Sequence, residues 1–301
     1  MKVALAIASL NGDPAAGALA LRAMSEEHSS SFCSVGVIDS GDERRCQLLE
    51  QDLSKRDYRI AYRRYEGNLG SAGNLVARLR WGAEVGAEAV MAVNADGVLL
   101  EANVRQMIDV MARAPVGAVY PTHVIEEERV DLSGLRAVPI LPSRVRLDRL
   151  QGKRNMQAQW GSSNGALYRL LPLAEVELDA IADLWYGWED LALGIEIGQA
   201  GYQQVMSVDS QQPTKADQRH LARTHLVVSS KAPWTTYYGV RNLLLIARRH
   251  SGCWPRVVLR TVREFVMVLL RDRRRERYRY ALRGTVDGLR GRSGQVVTPT
   301  A

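Results

Sequence analysis

The sequence has 301 residues, with 40 Lys+Arg against 33 Asp+Glu and a formal net charge of +7. Apolar residues make up 46% and charged residues 24%, which excludes disorder as the main state and allows a sizeable buried core. The charge is uneven: fifteen Arg, no Lys and four acids follow Val240, a local net of +11 that leaves −4 for the rest. A general nucleic-acid binder spreads its basic footprint over the folded domain, so nucleic acid is excluded as a partner. The basic tail is instead expected to meet an anionic membrane surface. The alternatives are a solvated helix face or the acidic body of a second copy in a homodimer.

The elements alternate along the first half of the chain. Residues 3–8 form an apolar strand before the turn Asn11-Gly12-Asp13-Pro14, and residues 15–24 a short helix. Residues 34–38 form a second strand, ending at Asp39-Ser40-Gly41-Asp42, and 43–53 a helix carrying Leu48, Leu49 and Leu53. A third strand over 58–65 runs into Gly67-Asn68-Leu69-Gly70-Ser71-Ala72-Gly73, followed by a helix over 75–85. The strand at 89–93 ends at Asn94-Ala95-Asp96-Gly97; a helix at 103–112 and a strand at 116–121 follow. Strands alternating with helices over short connections predict an α/β fold with a largely parallel sheet. Polar segments at strand carboxyl ends then lie where such sheets bind ligands, although loops are also polar because they face water.

Residues 122–160 are charged and punctuated by Pro139 and Pro142, which predicts an extended, partly β excursion. Residues 235–250 and 256–270 are helical, the second placing Val258, Val262, Phe265, Val266 and Leu269 on one face beside Arg256, Arg260 and Arg263. The three cysteines, Cys33, Cys46 and Cys253, have no paired spacing, which fits a reducing, cytoplasmic setting. The N-terminal apolar run is too short for a signal peptide, and no run approaches the ~20 residues of a membrane span. A cytoplasmic protein, peripheral on the inner face of the plasma membrane, is expected.

Several chemistries are excluded by missing motifs. There is no P-loop and no G-x-S-x-G elbow. Gly67-x-x-Gly70-x-x-Gly73 lacks the dinucleotide spacing and serves a tight turn. His28, His123, His220, His225 and His250 form no zinc motif. Asp96, at a strand end, suits a hard divalent cation bridging phosphates, or merely a turn. Glu189-Asp190, behind Trp185-Tyr186-Gly187-Trp188, either complements a helix dipole or supplies a general base beside sugar-stacking rings.

Taken in order, Asp39, NLGSAGN at 68–74, Asn94-Ala95-Asp96, GSSNGALYR at 161–169 and Trp188-Glu189-Asp190 … Gly201-Tyr202 resemble the inverting family-two glycosyltransferases of the GT-A fold. The likeness is greatest to rhamnosyltransferase and galactofuranosyltransferase-like members, and extends to YYGVRNLLLIARRH at 237–250 and GTVDGLRGRSG at 284–294. The resemblance implies a Rossmann-like, mainly parallel central sheet flanked by helices, with a C-terminal helical extension. It divides the chain into a catalytic GT-A part over 1–235 and a basic helical part over 236–301.

The resemblance also implies roles. Asn11, Asp39, Asn68, Gly70 and Asn94 would bind a UDP- or dTDP-linked sugar donor, with Asp39 accepting from the base N3–H. Asp96 would bind Mg²⁺ or Mn²⁺. Asp190 would be the general base and Glu189 would position the hydroxyl of a glycan or lipid-linked acceptor, bordered by Trp160 and Trp188. The chain departs from the pattern at Asn94, where the family carries a carboxylate, and at Gln211-Gln212-Pro213-Thr214, where it carries a His that His220 or His225 could replace. These departures leave a second expectation: a non-catalytic, membrane-peripheral assembly component on a transferase fold.

Overall fold

The computed structural model describes residues 1–25, 30–57, 59–113, 115–125, 129–135, 138–139, 144–213, 218–220, 227–229, 231–270 and 273–299, with backbone alone at 144, 218–220 and 227–229. His28, His225, Thr214 and the side chain of His220 therefore lie outside the described residues.

The first half alternates as the sequence predicts: β1 (Val3–Leu10), α1 (Pro14–Ala23), β2 (Ser34–Gly41), α2 (Glu43–Arg56), β3 (Ile60–Glu66), α3 (Gly70–Glu84), β4 (Ala89–Asn94), α4 (Glu101–Met111) and β5 (Val116–Ile125). β1 pairs in parallel with β2 and β4, and β2 with β3. Ala4–Ile7 and Ala89–Val93 are buried on both faces, which is why these strands are continuous apolar runs and not alternating ones. The polar residues after β1 and β2 start the next helices. Asp13 accepts from the Ala15 N–H at 2.9 Å with Pro14 in the first turn, and Asp42 accepts from the Arg45 N–H at 2.9 Å.

The middle of the chain holds β6 (Arg129–Asp131), β7 (Arg144–Arg146), β8 (Asn155–Ala158), β9 (Ala166–Arg169), α5 (Leu178–Ala182), α6 (Glu189–Gln199) and β10 (Gln203–Pro213). The described residues of the excursion after β5 include a small antiparallel ribbon, β5-β6-β7. β9 inserts antiparallel between β4 and β5, and β10 lies parallel to β5, giving the order β3-β2-β1-β4-β9-β5-β10-β8. Neither β9 nor β10 stands out in the sequence. β9 is four residues long, and β10 is polar at Gln204, Ser207, Ser210 and Gln212, all buried, with a register shift between Ser207 and Gln211. A two-stranded hairpin, β11 (Gln218–His220) and β12 (Val227–Ser229), precedes the C-terminal helices.

Those helices are α7 (Thr235–Arg249), α8 (Trp254–Val268) and α9 (Arg274–Arg290). α9 crosses α7 closely because Gly284 and Gly288 face it: a Cβ at Gly284 would lie 2.5 Å from the Tyr237 carbonyl oxygen. Two apolar cores flank the sheet. One lies under α1, α2 and α4; the other combines α3 and α6 with Val240, Leu243, Leu244, Ile246 and Ala247 of α7. The core is therefore continuous across residue 235. α8 turns Val257, Met267 and Val268 inward and leaves Val258, Leu259, Val262 and Val266 exposed. Among the described residues no helix is long and apolar enough to cross a membrane.

Candidate active site

The carboxyl ends of β1 and β4 open into a cleft of about 710 Å³. Six of the ten residues to which the resemblance gives roles line it: Asn68, Gly70, Asn94, Asp96, Glu189 and Asp190. They come from the loop before α3, the end of β4 and the start of α6.

α3 supplies one wall. The Asn68 side chain accepts from the Gly70 N–H at 2.8 Å, and the Asn68 carbonyl accepts from Trp185 Nε1 at 3.2 Å. Gly70 has φ +67°, and a Cβ there would fall 2.0 Å from the Trp185 carbonyl oxygen, so the close approach requires glycine. One turn apart on the same helix face stand Gly70, Asn74 and Arg78. Asn74 and Arg78 are buried and line the cleft. Asn74 closes the NLGSAGN segment of the sequence; Arg78, one turn on, is what sequence reasoning missed, and its i, i+4 spacing from Asn74 on a buried face is the signal.

The opposite wall is the turn 184–188 and the start of α6. Trp185, Gly187 and Trp188 all have left-handed backbone, at φ 60°, 80° and 69°. For the two tryptophans this conformation costs roughly 1–2 kcal/mol each, so the surroundings must hold it. The turn aims Glu189 and Asp190 into the cleft. Asp190 accepts from the Ser163 N–H at 3.2 Å. Part of it opens to the cleft while protein surrounds its other sides. Burial, then the neighbouring Glu189, push its carboxyl up to about 7, against the pull of Ser163 and Arg78. Burial in turn lowers Arg78 to about 10, while Tyr168, Asp190 and Glu189 act to keep it charged.

Among the described residues, three buried polar atoms around this cleft have no hydrogen-bond partner: Asn74 Oδ1, Arg78 Nε and Glu189 Oε2. Such groups are expensive to leave unpaired. Their clustering at one opening fits a polar ligand. In a second hollow of about 610 Å³, behind α5 and α7, Arg249 pairs with Glu196 and with Glu177 beside it.

Four expected residues lie elsewhere. Asp39 is fully buried, accepting from the Gly12 N–H at 3.1 Å, the Ser40 N–H at 2.8 Å and the Tyr62 hydroxyl at 2.5 Å. Its oxygens are thus engaged in joining the loops after β1 and β2, and its neighbour Ser40 lines the cleft. Asn11 accepts from the Asp42 N–H at 2.7 Å and faces a shallower adjoining depression. Trp160 and Trp188 pack edge-to-face at 6.3 Å outside the cleft, Trp188 donating to the Gly239 carbonyl at 2.9 Å. The aromatic lining is Trp185, Tyr186 and Trp234 instead, with Pro299 beside them. Trp185 and Tyr186 belong to the aromatic run that the sequence offers for sugar stacking; Trp234 and Pro299 escape it, because their place at the cleft depends on how α7 and the tail dock.

Asp96 is exposed at the cleft and Asn94 half-buried next to it. Among the described residues no three His, Cys, Asp or Glu side chains cluster as a metal cage. One carboxylate and one amide oxygen fit a hard cation that takes its other ligands from a diphosphate and water.

No family model and no curated protein matches this sequence. Solved structures do match its fold. S. aureus TarS 1–349 in complex with UDP-GlcNAc aligns with a TM-score of 0.57 at 13% identity, over 96% of this chain and 81% of that one. GalNAc-T7 with UDP, GalNAc and Mn²⁺ aligns at 0.55 and 12% identity, over 82% of this chain. The chain spans about half of GalNAc-T7, 48%. Mannosyltransferase PcManGT from Pyrobaculum calidifontis, in complex with GDP-Man and Mn²⁺, aligns at 0.53 and 13% identity, over 96% of this chain and 87% of that one. The fold is that of GT-A glycosyltransferases.

Proposed function

We propose that the protein is an inverting glycosyltransferase that moves a sugar from a nucleotide-sugar donor to a hydroxyl of a glycan or lipid-linked acceptor. The observation that carries this is the cleft itself: Asn74 Oδ1, Arg78 Nε and Glu189 Oε2 unpaired around a carboxyl, Asp190, held at about 7. The donor is UDP- or dTDP-linked, with rhamnose or galactofuranose as the sugars the sequence resemblance implies.

Asp190 takes the proton of the acceptor hydroxyl as that oxygen attacks the anomeric carbon from the side opposite the diphosphate. The bond from that carbon to the diphosphate oxygen breaks, and the nucleoside diphosphate leaves with the electron pair. A carboxyl near 7 is substantially ionised at neutral pH and still a competent proton acceptor. The free Glu189 oxygen accepts from the acceptor and orients it. Arg78 keeps the pair of acids from repelling the incoming diphosphate. A divalent cation at Asp96, with Asn94 beside it, would supply neutralisation of the leaving group's charge.

The test is nucleoside diphosphate release from a panel of nucleotide sugars by the wild type and by Asp190→Asn. Turnover by the wild type and a loss of about 10²–10⁴-fold in the variant are expected. A wild type that turns over no donor removes the reading, and an undiminished variant removes the base assignment.

A further inference from the structure

Residues of α7 and of the segment after α9 form a device in the part of the chain that the sequence assigns to membrane contact rather than chemistry. Arg241 and Asn242 of α7 are fully buried. Asn242 Nδ2 donates to the carbonyls of Leu184, Tyr186 and Gly187 at 2.9, 2.8 and 2.8 Å. Arg241 fixes that amide, donating from Nε to Asn242 Oδ1 at 2.8 Å, and reaches the Leu184 carbonyl from Nη2 at 2.7 Å. Its third arm, Nη1, donates to the Gly294 carbonyl at 2.6 Å. Two side chains on one helix therefore hold the carbonyls of the turn and tie them to the chain terminus.

The terminus is held in its turn. The Gly294 N–H donates to the Asp183 carbonyl at 2.7 Å. The Tyr238 hydroxyl donates to the Val297 carbonyl at 2.8 Å and accepts from the Val296 and Val297 N–H groups at 3.2 and 3.0 Å. Val297 is buried against Trp185, Tyr237 and Tyr238, and Pro299 ends at the cleft. The strained turn 184–188 is thus gripped by α7 and the tail on one side, and by α3 on the other, where the Ala72 N–H donates to the Trp185 carbonyl at 3.1 Å.

We propose that Arg241, Asn242, Tyr238 and the strap 293–299 are a positioning clamp that sets the placement of Glu189 and Asp190, so that the C-terminal helices control the rate of transfer. Of these residues only Pro299 lines the cleft. They act through the turn, which has left-handed backbone that its own sequence does not favour. The inference rests on the transfer reading above.

Tyr238→Phe removes one hydroxyl and three strap contacts without opening a cavity; Asn242→Ala frees the turn directly. In both, hydrogen exchange of the amides of residues 184–190 accelerates while the rest of the sheet keeps its protection. In both, kcat falls by about 10–10²-fold with the KM for the donor little changed, as expected for a misplaced base. Water admitted to Asp190 moves the acidic limb of the pH profile downward, toward the ordinary carboxylate range. The groups facing that carboxyl are Glu189 on its own helix, Arg78 on α3, Ser163, Tyr120 on β5 and Tyr168 on β9. If Asn242→Ala does not fold, Tyr238→Phe decides alone. Unchanged exchange at 184–190, or unchanged kcat with faster exchange, overturns the clamp. Exchange is read without substrate, so a wild type inactive on every donor would remove the transfer reading and leave the structural half of the clamp standing or falling by itself.

Discussion

Asp190 is held between two influences of opposite sign. Burial and Glu189 raise its carboxyl from 3.8 to about 7, while Ser163 and Arg78 oppose them. Two consequences follow from linkage. As a base it works only ionised, so kcat/KM should rise with pH through about 7. A profile flat between pH 5 and 8 would remove the assignment. Stability runs the other way. The unfolded chain gives up this proton near the ordinary carboxylate value and the native protein only near 7, so its contribution is full at low pH and is lost as pH climbs through that window. Asp190→Asn should therefore raise the melting temperature above pH 7, with the gain shrinking toward pH 4. Calorimetry across that range checks the sign. The identity of this pair of acids is visible in the sequence, but its proton affinity is not, because Arg78 and Ser163 lie far from it along the chain.

At the scale of elements, the site is a meeting of the α3 N-terminus with the turn before α6. Gly70 is the contact: its φ is positive and a Cβ there would fall 2.0 Å from the Trp185 carbonyl oxygen, which leaves no room for a side chain. Gly70→Ala should cost more than about 1 kcal/mol, from the backbone conformation alone. It should also weaken nucleoside diphosphate binding, because the Asn68 loop and the turn must separate. Chemical denaturation and calorimetric titration measure the two effects; a variant neutral in both would show that the approach is relaxed in solution. The sequence predicts a tight turn through Gly73, but the turn ends at Leu69 and Gly70–Gly73 already belong to α3. The partner of Gly70 was not legible, since nothing local to residue 70 specifies which carbonyl, more than a hundred residues on, will sit against it.

At the scale of the molecule, the +11 C-terminal segment divides into a buried part and an exposed part. Arg241 and Arg277 are buried and bond to backbone. The outer faces carry Val258, Leu259, Val262 and Val266 on α8, and Leu282, Val286 and Leu289 on α9, all exposed, with Arg256, Arg279, Arg283 and Arg290 also exposed among them. Apolar side chains interleaved with arginine suit an anionic lipid surface, which would bring a lipid-linked acceptor to the enzyme. Flotation with vesicles containing anionic lipid should recover the wild type and lose Leu259→Ser/Val262→Ser, while neutral vesicles recover neither. Recovery independent of lipid charge would remove the surface, and a concentration-dependent dimer that hides this face would assign it to a second copy.

The sequence by itself determined the alternating βαβ half, because apolar periodicity and capping residues are local. It also determined the order of the polar loops, because a parallel sheet must bring strand carboxyl ends to one side. The GT-A resemblance rested on that order. Only the tertiary structure decided which residues face the cleft. It withdrew Asp39 into the loop framework and Trp160 and Trp188 into packing. It chose Trp185 and Tyr186 over Trp188 from the aromatic run, and it brought in Arg78, Trp234 and Pro299. Burial and pairing are properties of neighbours in space, and those neighbours come from β9, α7 and a C-terminal strap whose positions no local pattern encodes.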